Sequence, residues 1–110
     1  MKDLKISKEL IKAVLKKETE TLSKDFNFTI NEDYIEFSDD GEMQFEYCIY
    51  KFAFKCKEWA FKRGLNLWTD YLGNCQIQDK DFQLLHDCYS DTEIKVIIKA
   101  SEYVLSEVNK

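Results

Sequence analysis

Residues 49–63, Ile-Tyr-Lys-Phe-Ala-Phe-Lys-Cys-Lys-Glu-Trp-Ala-Phe-Lys-Arg, contain neither proline nor glycine and run into Gly64. At 3.6 residues per turn, Ile49, Phe52, Ala53, Cys56, Trp59 and Ala60 fall on one stripe, which predicts a single long helix. Tyr50, Phe54 and Phe61 make a second stripe, rotated by roughly 100° per residue step from the first. Lys51, Lys55, Glu58 and Lys62 take the remaining face. Gly64 suits the left-handed residue that ends a helix, and Lys62 and Arg63 stand against its negative pole. A helix with two apolar faces is either sandwiched between layers or keeps one face for a partner. The Tyr50/Phe54/Phe61 stripe therefore has two readings: cover by another helix of the chain, or an interface for a partner or a second copy.

The flanks predict the remaining elements. Ser7 is placed to cap a first helix, with Ile6 packing on Ile11 as a hydrophobic staple. Leu10, Ile11, Val14 and Leu15, extended by Leu22, form its apolar stripe; Lys8, Lys12 and Lys16 line a basic face expected to be solvated. Phe26, Phe28 and Ile30 then alternate with polar residues, as do Ile35 and Phe37, and Met43, Phe45 and Tyr47. An Asn31-Glu32 loop pairs Phe28 with Ile35 and Phe26 with Phe37, and a four-residue loop keeps the same parity. For the next turn, a three-residue Asp39-Asp40-Gly41 loop sets Phe37 opposite Met43 and Ile35 opposite Phe45. A two-residue Asp40-Gly41 loop would face Phe37 with Gln44, so the longer loop is expected. The outcome is a three-stranded antiparallel meander with one aromatic face. Its other face shows Glu36, Gln44 and Glu46, with Asp33, Asp39, Asp40 and Glu42 at the turns.

After Gly64, Leu65, Leu67, Thr69 and Tyr71 alternate against Asn66, Trp68 and Asp70. Gly73-Asn74 reads as a hairpin turn into Cys75–Gln78, and Phe82, Leu84 and Leu85 as a continuation after a bulge at 79–81. Ser90-Asp-Thr-Glu93 has capping-box spacing, with Asp91 as the alternative cap of a last helix. Ile94, Ile97, Ile98, Leu105 and Val108 are its expected buried stripe, with Ala100 and Val104 beside it and Val96 and Tyr103 widening the arc. The predicted order is α-β-β-β-α-β-β-α, an α+β fold with an antiparallel sheet packed against helices, in one domain over residues 1–110.

Charge is segregated along the chain. Residues 18–46 hold ten acids against one lysine, or −9, within a total of −5; residues 1–17 and 47–63 each carry +4, and residues 64–110 carry −4. A local field of that sign suits a basic partner and opposes a nucleic-acid backbone. Lys51, Lys55, Lys57, Lys62 and Arg63 do interleave with Tyr50, Phe54 and Trp59, as in single-strand binders, but the acidic block lies next to them. No apolar run reaches membrane-span length, and the first residues lack the apolar core of a signal peptide, so the expected location is the cytoplasm, with Cys48, Cys56, Cys75 and Cys88 reduced.

Three chemical constellations are weak beside their structural readings. Cys48 and Cys56, if both helical, are separated by about 12 Å of rise, too far for one zinc ion or a disulfide. No Cys-x-x-Cys pair is present, and no metal or cofactor is expected. His86 and Cys88 would share one side of an extended segment, as a base and thiol nucleophile require, but no oxyanion donor accompanies them. Asp39-Asp40 and Asp79/Asp81 could serve acid–base or magnesium chemistry, yet turns recruit aspartate to bind local N–H groups.

The segment around Cys56-Lys-Glu-Trp-Ala60 resembles a motif of small uncharacterised phage and prophage proteins, in which such a helix leads through glycine into a hairpin. Those proteins end in a helix opening with Thr-Glu and containing Lys-Ala, similar to Thr92-Glu93 and Lys99-Ala100 here. The resemblance covers residues 49–108 and implies no catalytic residue. It implies a mobile-element protein that acts by binding a host protein. The leading expectation is a non-enzymatic acidic inhibitor, of the anti-CRISPR or anti-restriction type, that uses Asp33, Glu36, Asp39, Asp40, Glu42 and Glu46 against a basic surface and Tyr50, Phe54 and Phe61 as anchors. The alternatives are a small enzyme or ligand-binding domain centred on His86 and Cys88, and a structural homodimer.

Overall fold

The computed structural model describes residues 4–108. The chain divides into a first unit ending at Phe52 and a second beginning at Ala53. In the first unit, Ser7 caps α1 (Lys8–Val14), its Oγ accepting from Leu10 N at 3.1 Å. The expected continuous helix breaks at Leu15 (φ −101°, ψ 38°) and resumes as the single turn α2 (Lys16–Thr19). Thr19 Oγ1 donates to the Leu15 carbonyl at 3.0 Å beside the backbone bond from Thr19 N to the same oxygen, the back-bonding pattern that accompanies bent helices. Leu10, Ile11 and Leu15 are fully buried. The basic face of α1 is not simply solvated. The ammonium groups of Lys8 and Lys12 lie 5.1 and 5.7 Å from the centre of the Phe26 ring, within cation–π range.

The meander forms as β1 (Asn27–Asn31), β2 (Tyr34–Asp39) and β3 (Glu42–Cys48), in that spatial order. Both expected registers need correction. The first turn is Glu32-Asp33, so Phe28 pairs with Phe37 and Ile30 with Ile35; parity is kept and the partner shifts by two. The second is the two-residue Asp40-Gly41 loop, with φ of 54° and 86°, the primed geometry that matches strand twist. A bulge between Phe37 and Ser38 absorbs Gln44 as the extra residue and sets Phe37 opposite Phe45 and Ile35 opposite Tyr47. The parity objection to the short loop fails because the bulge restores the apolar face. Phe37 stacks on Phe45 with centroids 4.5 Å apart and meets Phe26 and Phe28 at 5.9 and 6.4 Å. Cys48 is the last strand residue, not part of the helix; α3 (Ile49–Lys62) starts directly after it, with Ile49 N donating to Asp33 O at 2.8 Å.

In the second unit α3 ends as expected. Gly64 (φ 82°) donates to Phe61 O and Leu65 N to Ala60 O, the paired bonds of a Schellman motif. Three strands follow where two were expected: β4 (Asn66–Thr69), β5 (Asn74–Gln78) and β6 (Leu84–Tyr89), a second antiparallel sheet. Residues 79–83 turn the chain back instead of bulging it onward, because Asp79 Oδ1 accepts from Asp81 N and Gln83 N at 2.9 and 3.0 Å. Helix α4 (Glu93–Val108) packs on all three strands. Its cap is Thr92, whose Oγ1 accepts from Lys95 N at 3.2 Å, in place of Ser90 or Asp91. Asp91 instead pairs with Lys95 at 3.0 Å. The buried stripe is rotated from the expected one: Val96, Ile97, Ile98, Ala100, Ser101 and Val104 are buried, whereas Ile94 and Leu105 are half-buried. Val108 as a buried side chain lies outside what is described. The fold class is α+β, with two three-stranded sheets where one sheet was expected.

Candidate functional site

Alternation on β2 and β3 sends Phe37, Phe45 and Ile35 to one side, which sends Glu36 and Glu46 to the other. The pairing places Glu36 directly opposite Glu46. Neighbours make the arrangement tolerable: Asn31 Nδ2 donates to Glu36 Oε1 at 3.2 Å and Thr29 Oγ1 to Oε2 at 3.4 Å. Asp33, Asp40, Glu42 and Glu46 are exposed and Glu36 is half-buried. Asp39 departs from the expected set, because its Oδ2 accepts from Ser23 N at 3.0 Å while its Oδ1 is buried with no hydrogen-bond partner. That carboxylate is engaged by the fold. Among the described residues, no ion pair engages any of these six acids.

On α3 the second stripe is bare. Tyr50 is 52% exposed, Phe54 63% and Phe61 68%, so helix cover of this face is not what the fold adopts. The first stripe, Ile49, Phe52, Ala53, Cys56, Trp59 and Ala60, is buried throughout. Arg63 folds back along the helix end, with its guanidinium 4.4 Å from the Trp59 ring centre and an N–H donating to Trp59 O.

A cleft in the second unit was not legible in advance. Phe61, Lys62, Gly64, Asn66, Lys80 and Phe82 line a hollow of about 450 Å³. A neighbouring hollow of about 330 Å³ shares Phe61, Lys62 and Asn66 with it and adds Lys57 and Leu67. The Lys80 stem lies over Gly64, where a Cβ would stand 2.9 Å from Lys80 Cε. Phe82 has φ 62° and is 67% exposed. The available signal was Phe82 between Asp81 and Gln83, an aromatic residue in a polar turn. The outer face of the second sheet is also apolar in part, with Trp68, Leu84 and Tyr89 exposed. Trp68 already fell on the polar side of its alternating strand.

Alternation on β6 places His86 and Cys88 on the same side of the strand, as their spacing predicts. Burial pushes the Cys88 thiol up, away from the thiolate a nucleophile needs. His86, two residues before it, stacks flat on Tyr103 with centroids 3.9 Å apart. Cys56 and Cys75 are each pushed up to about 12 by burial, and Cys88 faces Cys75 across β5 and β6. Asp79 is the clamp of its turn rather than half of an acid pair. Among the described residues, no three His, Cys, Asp or Glu side chains gather as a metal site. None of their helices is long and apolar enough to cross a membrane. Comparison with family models, with curated proteins and with solved structures finds no match for this chain.

Proposed function

We propose that this protein acts by binding another protein, and that the outer face of the first sheet is the contact surface. The observation that carries the reading is the apposition of Glu36 and Glu46 on an accessible face, with Asp40, Glu42 and Asp33 at its turns. Like charges directly opposite across strands oppose folding, so the arrangement costs stability that a basic partner would return as attraction. Tyr50, in the same unit and 52% exposed, is suited to anchor a complex, since tyrosine is enriched among residues that dominate binding energy. The resemblance of residues 49–108 to phage and prophage proteins supports a more specific form. The partner is then a host protein whose basic surface normally holds nucleic acid, such as a defence nuclease complex, and the acidic face competes for that surface.

The test is a triple substitution, Glu36→Lys, Glu42→Lys and Glu46→Lys, with binding to a basic host protein measured at low and high salt. Binding of the native chain should weaken about tenfold or more between 50 and 500 mM salt, because exposed charges are screened within about 10 Å at 0.1 M. The triple variant should lose the partner while keeping a native thermal melt. A folded triple variant that still binds removes this surface from consideration.

A further inference from the structure

We infer that the cleft between the end of α3 and the turn after β5 is a binding site for a small aromatic anion: a flat ring carrying a phosphate or carboxylate. It is independent of the acidic face and draws on different residues. Two phenyl rings, Phe61 and Phe82, line the cleft while remaining about two-thirds exposed. Lys62 and Lys80 line it with them, and Lys57 lines the adjoining hollow, against the single acid Glu58. Asn66 is common to both hollows and brings an amide that can donate and accept. The volumes, about 330 and 450 Å³, lie in the range of small-molecule clefts. Flat apolar rings and lysines lining one cleft favour a ligand that stacks and is negatively charged, in a chain whose net charge of −5 would otherwise repel anions.

The backbone at Phe82 supplies the independent observation. A phenylalanine at φ 62° occupies the region where glycine is at ease and a bulky side chain is strained. The turn is over-determined by Asp79, which accepts from Asp81 N and Gln83 N and whose carbonyl accepts from Phe82 N at 3.0 Å. Glycine in this place would make the same turn without strain. What the phenylalanine adds is a ring at the cleft, since it is not buried in any core. Strain retained for an exposed ring points to the ring's use. Gly64 contributes in the opposite sense, because its missing Cβ leaves room for the Lys80 stem and so sets that lysine at the rim.

The test is calorimetric titration of the full chain with adenosine 5′-monophosphate and 2-naphthoate, and with the neutral controls adenosine and 2-naphthalenemethanol. At least one anion should bind in the sub-millimolar range, and its neutral counterpart at least about tenfold more weakly. Binding of the nucleotide alone assigns the site to phosphate-bearing rings; binding of naphthoate alone assigns it to carboxylates. Phe82→Gly should lose affinity about tenfold while its melting temperature holds or rises by about 3 °C, and Lys62→Glu with Lys80→Glu should abolish binding. Absence of binding by both anions at about 5 mM, equal binding of anion and neutral control, or native affinity in Phe82→Gly would each overturn the assignment.

Discussion

Two glycines show how differently one residue type can be constrained. Gly73 (φ 92°) sits where an added Cβ would collide with the Ser90 carbonyl, on the side where Ser90 N donates to Gly73 O at 2.8 Å. Gly41 (φ 86°) has no atom within 4 Å of such a Cβ. Gly73→Ala should therefore cost more than about 3 kcal/mol, because it adds a backbone clash to the dihedral strain. Gly41→Ala should cost about 1 kcal/mol, the strain alone. Urea unfolding of the two variants checks the gap, and similar costs would mean that the Gly73 turn is looser than described. Both residues announced turns in the sequence, since Asp40-Gly41 and Gly73-Asn74 are turn dipeptides. Nothing in the sequence ranked them, because the ranking depends on a carbonyl seventeen residues away.

At the scale of elements, the first sheet combines an aromatic row with an acidic one. Phe28, Phe37 and Phe45 lie abreast across β1, β2 and β3, and Thr29, Glu36 and Glu46 form the next row on the opposite face. Glu46→Gln removes one of two facing charges and should raise stability by about 0.5 kcal/mol at low salt. The gain should shrink as salt is added, which distinguishes relief of repulsion from a packing effect. The same variant should bind the proposed partner less tightly, giving opposite signs for stability and binding. Two-residue periodicity made the strands of the first sheet and their two faces legible, but not β6, which read as a continuation of β5. Registers were not, because a bulge can exchange one loop length for another without altering which residues face inward. The helices show the same limit: the Gly64 stop was readable from local chemistry, while the break at Leu15 and the rotated stripe of α4 depend on what each side chain meets.

For the whole molecule, buried thiols contribute to the response to alkaline pH. Burial holds Cys56 and Cys75 up to about 12 and raises Cys88, whereas unfolding returns each to its ordinary value of 9.0. Below pH 9 both states keep these protons and the groups leave stability unchanged. Above it the unfolded chain releases them first, so stability falls as pH rises through the window up to about 12. Cys56 alone should contribute about 1.4 kcal/mol of loss per pH unit within that window. Urea melts at pH 9.5 and 10.5 should show a shallower decline for Cys56→Ala than for the native chain; parallel declines would mean that Cys56 ionises as readily folded as unfolded. The order of the first meander and α3, the sign of the first sheet's faces and the two apolar stripes of α3 follow from periodicity and charge order, which are properties of neighbouring residues and are written along the chain, whereas the exposure of the second stripe came from the structure. The pairing partners, the split into two sheets, the opposition of Glu36 to Glu46 and the cleft holding Phe61, Lys80 and Phe82 were decided only by the tertiary structure. They join residues as far as 21 positions apart, Phe61 and Phe82, and which of them meet depends on loop lengths, bulges and packing that no local pattern encodes.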